Sequence, residues 1–211
     1  MSAATDAPSS ARRGILFVVS APSGAGKTTL VKAALDADTG LSLSVSCTTR
    51  TPRTGEQDGR DYFFVDQAEF SRRRDGGDFV EWAQVFDHFY ATPRGPLDGA
   101  IAQGRDVLLD VDIQGARAIT KTYPADAVGI FVVPPSFAVL EQRLRARGTD
   151  SIAQIKRRLD RVREELAAGR DTNVYDYLVV NEDRDRAVRD LLAVIGAERC
   201  RIGRRAAVQL D

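Results

Sequence analysis

Residues 14–20 read Gly-Ile-Leu-Phe-Val-Val-Ser, and the next eight, Ala21-Pro22-Ser23-Gly24-Ala25-Gly26-Lys27-Thr28, lead into helical periodicity. No other stretch limits the fold as strongly. A strand that is apolar on both faces must be covered on both, as the interior of a parallel sheet provides. A glycine-rich loop between such a strand and a helix lets successive N–H groups face an anion. The helix start adds partial positive charge. The Lys-Thr pair completes a P-loop, in which Lys27 reaches the β- and γ-phosphates of a nucleoside triphosphate and the Thr28 hydroxyl ligates Mg²⁺. Ala21 stands where the general pattern has glycine, but the mechanics rest on Gly24, Gly26 and the Lys-Thr pair.

Further apolar runs follow at intervals that leave room for crossovers. Residues 41–47 alternate Leu41, Leu43, Val45 and Cys47, which predicts a half-buried strand; residues 106–111, 128–133 and 177–180 predict three more. Helical spacing predicts helices over residues 27–35, 136–147, about 151–169 and about 185–199, with a capping box at Ser151-x-x-Gln154. The fold class that follows is α/β: a P-loop NTPase-type parallel sheet flanked by helices, with a helical lid at about 136–168. Residues from about 48 break the alternation and hold nine of the fifteen aromatics up to Tyr90, which reads as a small mixed insert with its own minor core. The expected division is a disordered tail over 1–13, a core formed by 14–47 and 92–199, and an insert over 48–91.

Composition excludes more than it selects. Thirty Lys+Arg balance thirty Asp+Glu, so a nucleic-acid partner held by phosphate neutralisation is not expected. Twenty-six of the cations are arginines, a planar fork suited to phosphate, although genomic base composition produces the same skew. No apolar run is long enough to span a membrane. Arg12 and Arg13 before residues 15–19 imitate a short signal peptide, but a glycine loop follows where a cleavage site belongs. With two distant cysteines, a cytoplasmic protein is expected. A homo-oligomer is compatible with the sequence.

A P-loop specifies a nucleotide and leaves the acceptor open. Arg50 and Arg53 lie three apart at the mouth of the insert with Tyr62 nearby, and two guanidinium forks with a phenol suit a monophosphate dianion. Asp110 and Asp112 end an apolar strand, where an acid orients Mg²⁺ or its water shell. Alternation puts both on one strand face, with helix capping before Gln114-Gly115 as the other role open to one of them. Arg143 and Arg147, at i and i+4, share a helical face and could converge on phosphate oxygens.

The segments APSGAGKTT, VSCTTRTPRTGE, DGRDYFFV, FVEWAQV, LLDVDIQGA, VVPPS, RLRARGTD and VVNED occur in the order and spacing of the guanylate kinase family, which the chain resembles from Gly14 to about Arg199. The resemblance implies Mg²⁺-dependent phosphoryl transfer from ATP to GMP (and dGMP) in purine nucleotide metabolism. It implies that Ala21 to Thr28 and Asn181 bind ATP, with Asn181 near the adenine. It assigns the GMP phosphate to Arg50, Arg53, Tyr62 and Tyr90, and the clamp on the transferring phosphoryl to Lys27, Arg143, Arg147 and Arg158. Guanine presents N1–H and a 2-amino group as adjacent donors that one carboxylate accepts. The family places Glu81 there, with Ser46, Thr92 and Asp110 adding contacts. Asp110 is thus expected to face the monophosphate and Asp112 the metal's outer shell, beside Thr28. Phe89 and Ala91 depart from the family's Tyr-Tyr-Gly pattern, losing a hydroxyl and a backbone point free to take positive φ. The only histidine, His88, is expected on a turn, outside the chemistry.

Two other readings share these residues. A catalytically inactive interaction module would keep the fold without needing Gly26-Lys27-Thr28 or the arginines of the lid. A kinase for AMP or UMP would have no use for Glu81.

Overall fold

The apolar run after Gly14 forms the centre of a five-stranded parallel sheet in the order β2-β7-β1-β8-β9. Its strands are β1 (Leu16–Ser20), β2 (Leu41–Leu43), β7 (Asp106–Asp110), β8 (Ala127–Val133) and β9 (Tyr177–Val180). The structure is a computed structural model, and it describes residues 12–85, 87–146 and 152–204. Every residue of β1 is buried, as its unbroken apolar composition requires. Ile15, Phe17 and Val19 pack with α1 (Lys27–Ala37) and α7 (Arg184–Cys200) on one face. Leu16 and Val18 pack with α3 (Arg94–Ala102) and α4 (Ile113–Thr122) on the other. Burying each of these large side chains stabilises the fold by about 1.5–3 kcal/mol relative to exposure, which fixes the strand that launches the glycine loop.

A second sheet, in the order β4-β3-β6-β5, contains β3 (Cys47–Thr48), β4 (Phe63–Phe64), β5 (Phe79–Val85) and β6 (His88–Pro93). With α2 (Gln67–Asp75) it closes a minor core of Cys47, Phe70, Phe79 and Ala91, edged by Phe63 and Phe89. His88 opens β6 opposite Val85 and so lies in a strand, not on the expected turn. The strand expected over 41–47 is two strands. Leu41–Leu43 pairs with β7, whereas Cys47–Thr48 pairs with β4 and β6 in the other sheet. Leu43 is exposed, so the apolar alternation there does not mark one buried face. The chain is changing sheets, and alternation cannot distinguish one strand from two in line.

The segment expected as a lid is a helix pair, α5 (Phe137–Ala146) and α6 (Ile152–Ala168), joined by contacts of Leu140 and Leu144 with Leu159 and Val162. The capping box expected at Ser151 falls outside the described residues. Two residues of the expected tail are tied down. Arg12 bonds both oxygens of Asp106 at 2.8 and 2.7 Å, and Arg13 both oxygens of Asp126 at 2.7 Å. Asp106 also accepts from Arg199 at 2.7 Å and from the Ile15 amide at 3.0 Å. Bidentate pairing to buried acids fastens this segment to the sheet ahead of the first strand. Among the described residues, no helix is long and apolar enough to cross a membrane.

Candidate active site

The glycine loop is shaped from below and behind. Gly24 and Gly26 have φ of 91° and 90°, a left-handed conformation that other residues adopt at a cost. Space excludes a side chain as well: a Cβ on Gly26 would lie 2.4 Å from Asn181 Nδ2, and one on Gly24 would lie 2.9 Å from Leu144 Cδ2. Asn181 is buried and donates through Nδ2 to the carbonyl of Ala25 at 2.7 Å. The Ser23 amide donates to Glu165 of α6 at 3.2 Å, so both lid helices touch the loop. Lys27 Nζ sits 2.5 Å from Asp110 Oδ1 and donates to the carbonyl of Val111. Thr28 Oγ1 donates to Asp110 Oδ2 at 3.0 Å. A cavity of about 450 Å³ opens beside the loop, lined by Gly24, Gly26, Thr29, Arg143, Asn181 and Arg184 among others. Asn181, expected near an adenine, therefore both lines this cavity and braces the loop.

A second cavity, of about 170 Å³, lies between the insert and the C-terminal end of β7. Ser46, Tyr62, Glu81, Tyr90, Asp110 and Asp112 line it. Glu81 Oε1 accepts from Thr92 Oγ1 at 2.6 Å across the β5–β6 pairing. Burial pushes the Glu81 carboxyl above its ordinary range; Thr92 opposes that shift and the charge of Asp112 adds to it. Thr92 itself is buried and absent from the lining, so its hydroxyl supports Glu81 and does not face the cavity. At the rim, Arg50 Nη2 donates to Glu56 Oε1 at 2.8 Å, and its guanidinium lies 5.4 Å from the centre of the Tyr62 ring. The Arg53 amide donates to Glu56 Oε2 at 2.8 Å, while the Arg53 side chain is exposed. One carboxylate thus ties the Arg50 guanidinium to the backbone of Arg53, a role that Gly55-Glu56 in the sequence did not announce. Tyr62 meets Tyr90 edge-on at 6.0 Å, and burial raises its hydroxyl's pKa, which keeps it a neutral donor.

Asp110 and Asp112 do not share the strand face that alternation predicts. β7 ends at Asp110, and Asp112 is already the N-cap of α4, its Oδ1 accepting the Gly115 amide at 2.8 Å. Alternation therefore stops between them. Asp110, not Asp112, reaches Thr28 and Lys27. Arg147 lies outside the described residues, and of Arg158 only its helical backbone in α6 is described. Arg143 donates to the Asn181 carbonyl at 3.0 Å, on the wall of the larger cavity.

The departures at 89 and 91 fall in β6. Ala91 is paired with Cys47 and Trp82 in extended backbone, so no positive φ is called for. Phe89 packs against Phe70 at 5.3 Å in the minor core, whereas its neighbour Tyr90 lines the cavity. The hydroxyl missing from Phe89 is thus missing from the face turned away from the cavity.

A family model described as guanylate kinase matches residues 13–198. The guanylate kinase of Bordetella pertussis is 50% identical over 197 residues, covering 93% of this chain and 90% of its own. That of Aromatoleum aromaticum is 52% identical over 188 residues, covering 89% and 90%. The crystal structure of guanylate kinase from Anaplasma phagocytophilum matches with a TM-score of 0.71 at 33% identity, covering 92% of this chain and 90% of that one.

Proposed function

The chain belongs to the guanylate kinase family, and from that premise we propose how its residues carry a phosphoryl group from ATP to GMP. The reaction yields ADP and GDP. The observation that carries the residue roles is the position of Asp110. It borders the smaller cavity and simultaneously bonds the Lys27 and Thr28 of the glycine loop. Donor and acceptor sites therefore meet at one carboxylate.

In the smaller cavity Glu81 takes the guanine edge, accepting N1–H and the 2-amino group, and Ser46 adds a hydroxyl. Adenine offers no such pair of donors. Thr92 holds one Glu81 oxygen and so turns the carboxylate. Arg50, Arg53, Tyr62 and Tyr90 hold the monophosphate, with Glu56 fixing the arginines' backbone and fork. The phosphate of GMP is largely anionic at neutral pH, so it attacks without a general base. The barrier is lowered by alignment and charge, as phosphoryl transfer generally requires.

On the donor side the loop amides and Lys27 receive the triphosphate, and Arg143, Arg147 and Arg158 of the lid neutralise the moving group. The larger cavity beside Asn181 takes the adenosine. Thr28 and Asp110 offer hard oxygen donors 3.0 Å apart, a set that fits Mg²⁺. When bound, that ion would neutralise charge on the β- and γ-phosphates. Asp112, occupied in capping α4, is left to the acceptor side. Closure of lid and insert over both cavities excludes water, which would otherwise hydrolyse ATP. We place the enzyme in the cytoplasm, where the thiols of Cys47 and Cys200 stay reduced.

ADP release measured with GMP, dGMP, AMP and UMP tests the assignment. Turnover with GMP and dGMP, and little with the others, is expected. Equal rates with AMP would remove the role given to Glu81, and no GMP-dependent release would support an inactive interaction module.

A further inference from the structure

Gly115 is the third residue of α4, where its amide completes the Asp112 cap. Nothing in that backbone requires glycine. The residue is helical, it is not among the glycines of positive φ, and any non-proline residue offers the same N–H. Alanine would favour the helix, so the glycine costs local stability. What a side chain would meet accounts for it. A Cβ at 115 would lie 3.3 Å from Glu81 Cδ, 3.2 Å from Val111 Cβ and 3.5 Å from Asp112 Oδ1.

None of the surroundings yields freely. Val111 Cβ is fixed to its own backbone. The helix is held to the sheet by Ala116 and Ile119, both wholly buried. Glu81 is held at Oε1 by Thr92 at 2.6 Å, so its carboxyl group can relieve the contact mainly by turning about that oxygen. Turning moves the other oxygen, the one left to meet the cavity.

We propose that Gly115 is a specificity-determining positioning residue: the bare helix turn is the floor against which the Glu81 carboxylate is set for the two donors of guanine. The proposal rests on the reading of Glu81 as the base-reading group. A bidentate contact depends on angle as well as distance, so a shift of a few tenths of an ångström weakens one bond more than the other. The loss falls on discrimination between bases, not on the phosphates.

The test is the ratio of kcat/KM for GMP to that for inosine monophosphate, which lacks the 2-amino group, measured in Gly115→Ala, Glu81→Gln and the double variant. Gly115→Ala is expected to lower the ratio by roughly tenfold with the KM for ATP unchanged. In the Glu81→Gln background the alanine should lower it little further, because interacting positions are not additive. A lowered ratio in Glu81→Gln beside a wild-type ratio in Gly115→Ala would overturn the proposal alone, as would full additivity. An unchanged ratio in Glu81→Gln would overturn the base-reading role and the proposal with it. If Gly115→Ala does not fold, Glu81→Asp/Gly115→Ala is read against Glu81→Asp, since the shorter acid withdraws from the new methyl. Equal ratios support the contact, and a lower ratio in the double variant overturns it.

Discussion

At Glu81 two influences act on one carboxylate in opposite directions. Burial, with Asp112 nearby, raises its pKa, while the Thr92 hydroxyl favours the charged form. The net direction is upward, and only the ionised form accepts both guanine donors. Activity with GMP should therefore fall on acidification at a higher pH than an exposed glutamate would give. In Glu81→Gln that acid limb should disappear from the profile of kcat/KM. At neutral pH the same variant should lose about 1.5–3 kcal/mol, or roughly ten- to a hundredfold in kcat/KM for GMP. An unchanged profile and rate would place the base elsewhere. Much of the smaller cavity's lining was legible, because Tyr62, Glu81 and Tyr90 stand in motifs that single them out. Glu56 was not. Its task is to hold other residues, and a glutamate after a glycine carries no mark of what it will face.

Elements were readable where pattern and packing coincide. The buried strand β1 and the amphipathic helices of the lid follow from continuous or 3.6-residue periodicity. Where the chain passes between sheets at residues 44–46, and where β7 gives way to α4, periodicity continues in the sequence while the geometry changes. That is why alternation carries Asp112 onto the strand face, when it takes the capping role instead. The loop element depends on a contact that no local pattern reveals, the bond from Asn181 to the Ala25 carbonyl across 156 residues. Asn181→Ala leaves that buried carbonyl without its partner, a loss of about 1–3 kcal/mol. The expected result is a raised KM for ATP with the KM for GMP unchanged. A rise confined to GMP would mean that Asn181 serves the other cavity.

Across the whole molecule, a net charge of zero conceals a division of labour. Arg50, Arg53 and Arg143 are the ones proposed for phosphates, whereas Arg12, Arg13 and Arg199 pair with acids that hold the fold. Asp106 joins Arg12, Arg199 and the start of β1. Burial alone would raise its pKa, but the bonds from Arg12, Arg199 and the Ile15 amide outweigh it and the pKa is lowered. A carboxylate depressed on folding stabilises the protein above its unfolded pKa, and that stability is lost as pH falls through the folded value. Asp106→Asn should cost roughly 3 kcal/mol in denaturant unfolding at neutral pH, a cost that shrinks below about pH 4. A pH-independent difference would show that shape, not charge, matters there.

The central claim, that separate donor and acceptor cavities meet at Asp110 and Lys27, is tested most directly by Lys27→Ala, with turnover and GMP affinity measured on the same preparation. Turnover should fall by at least about a hundredfold, while calorimetry still finds GMP bound. Wild-type turnover in that variant would contradict the claim.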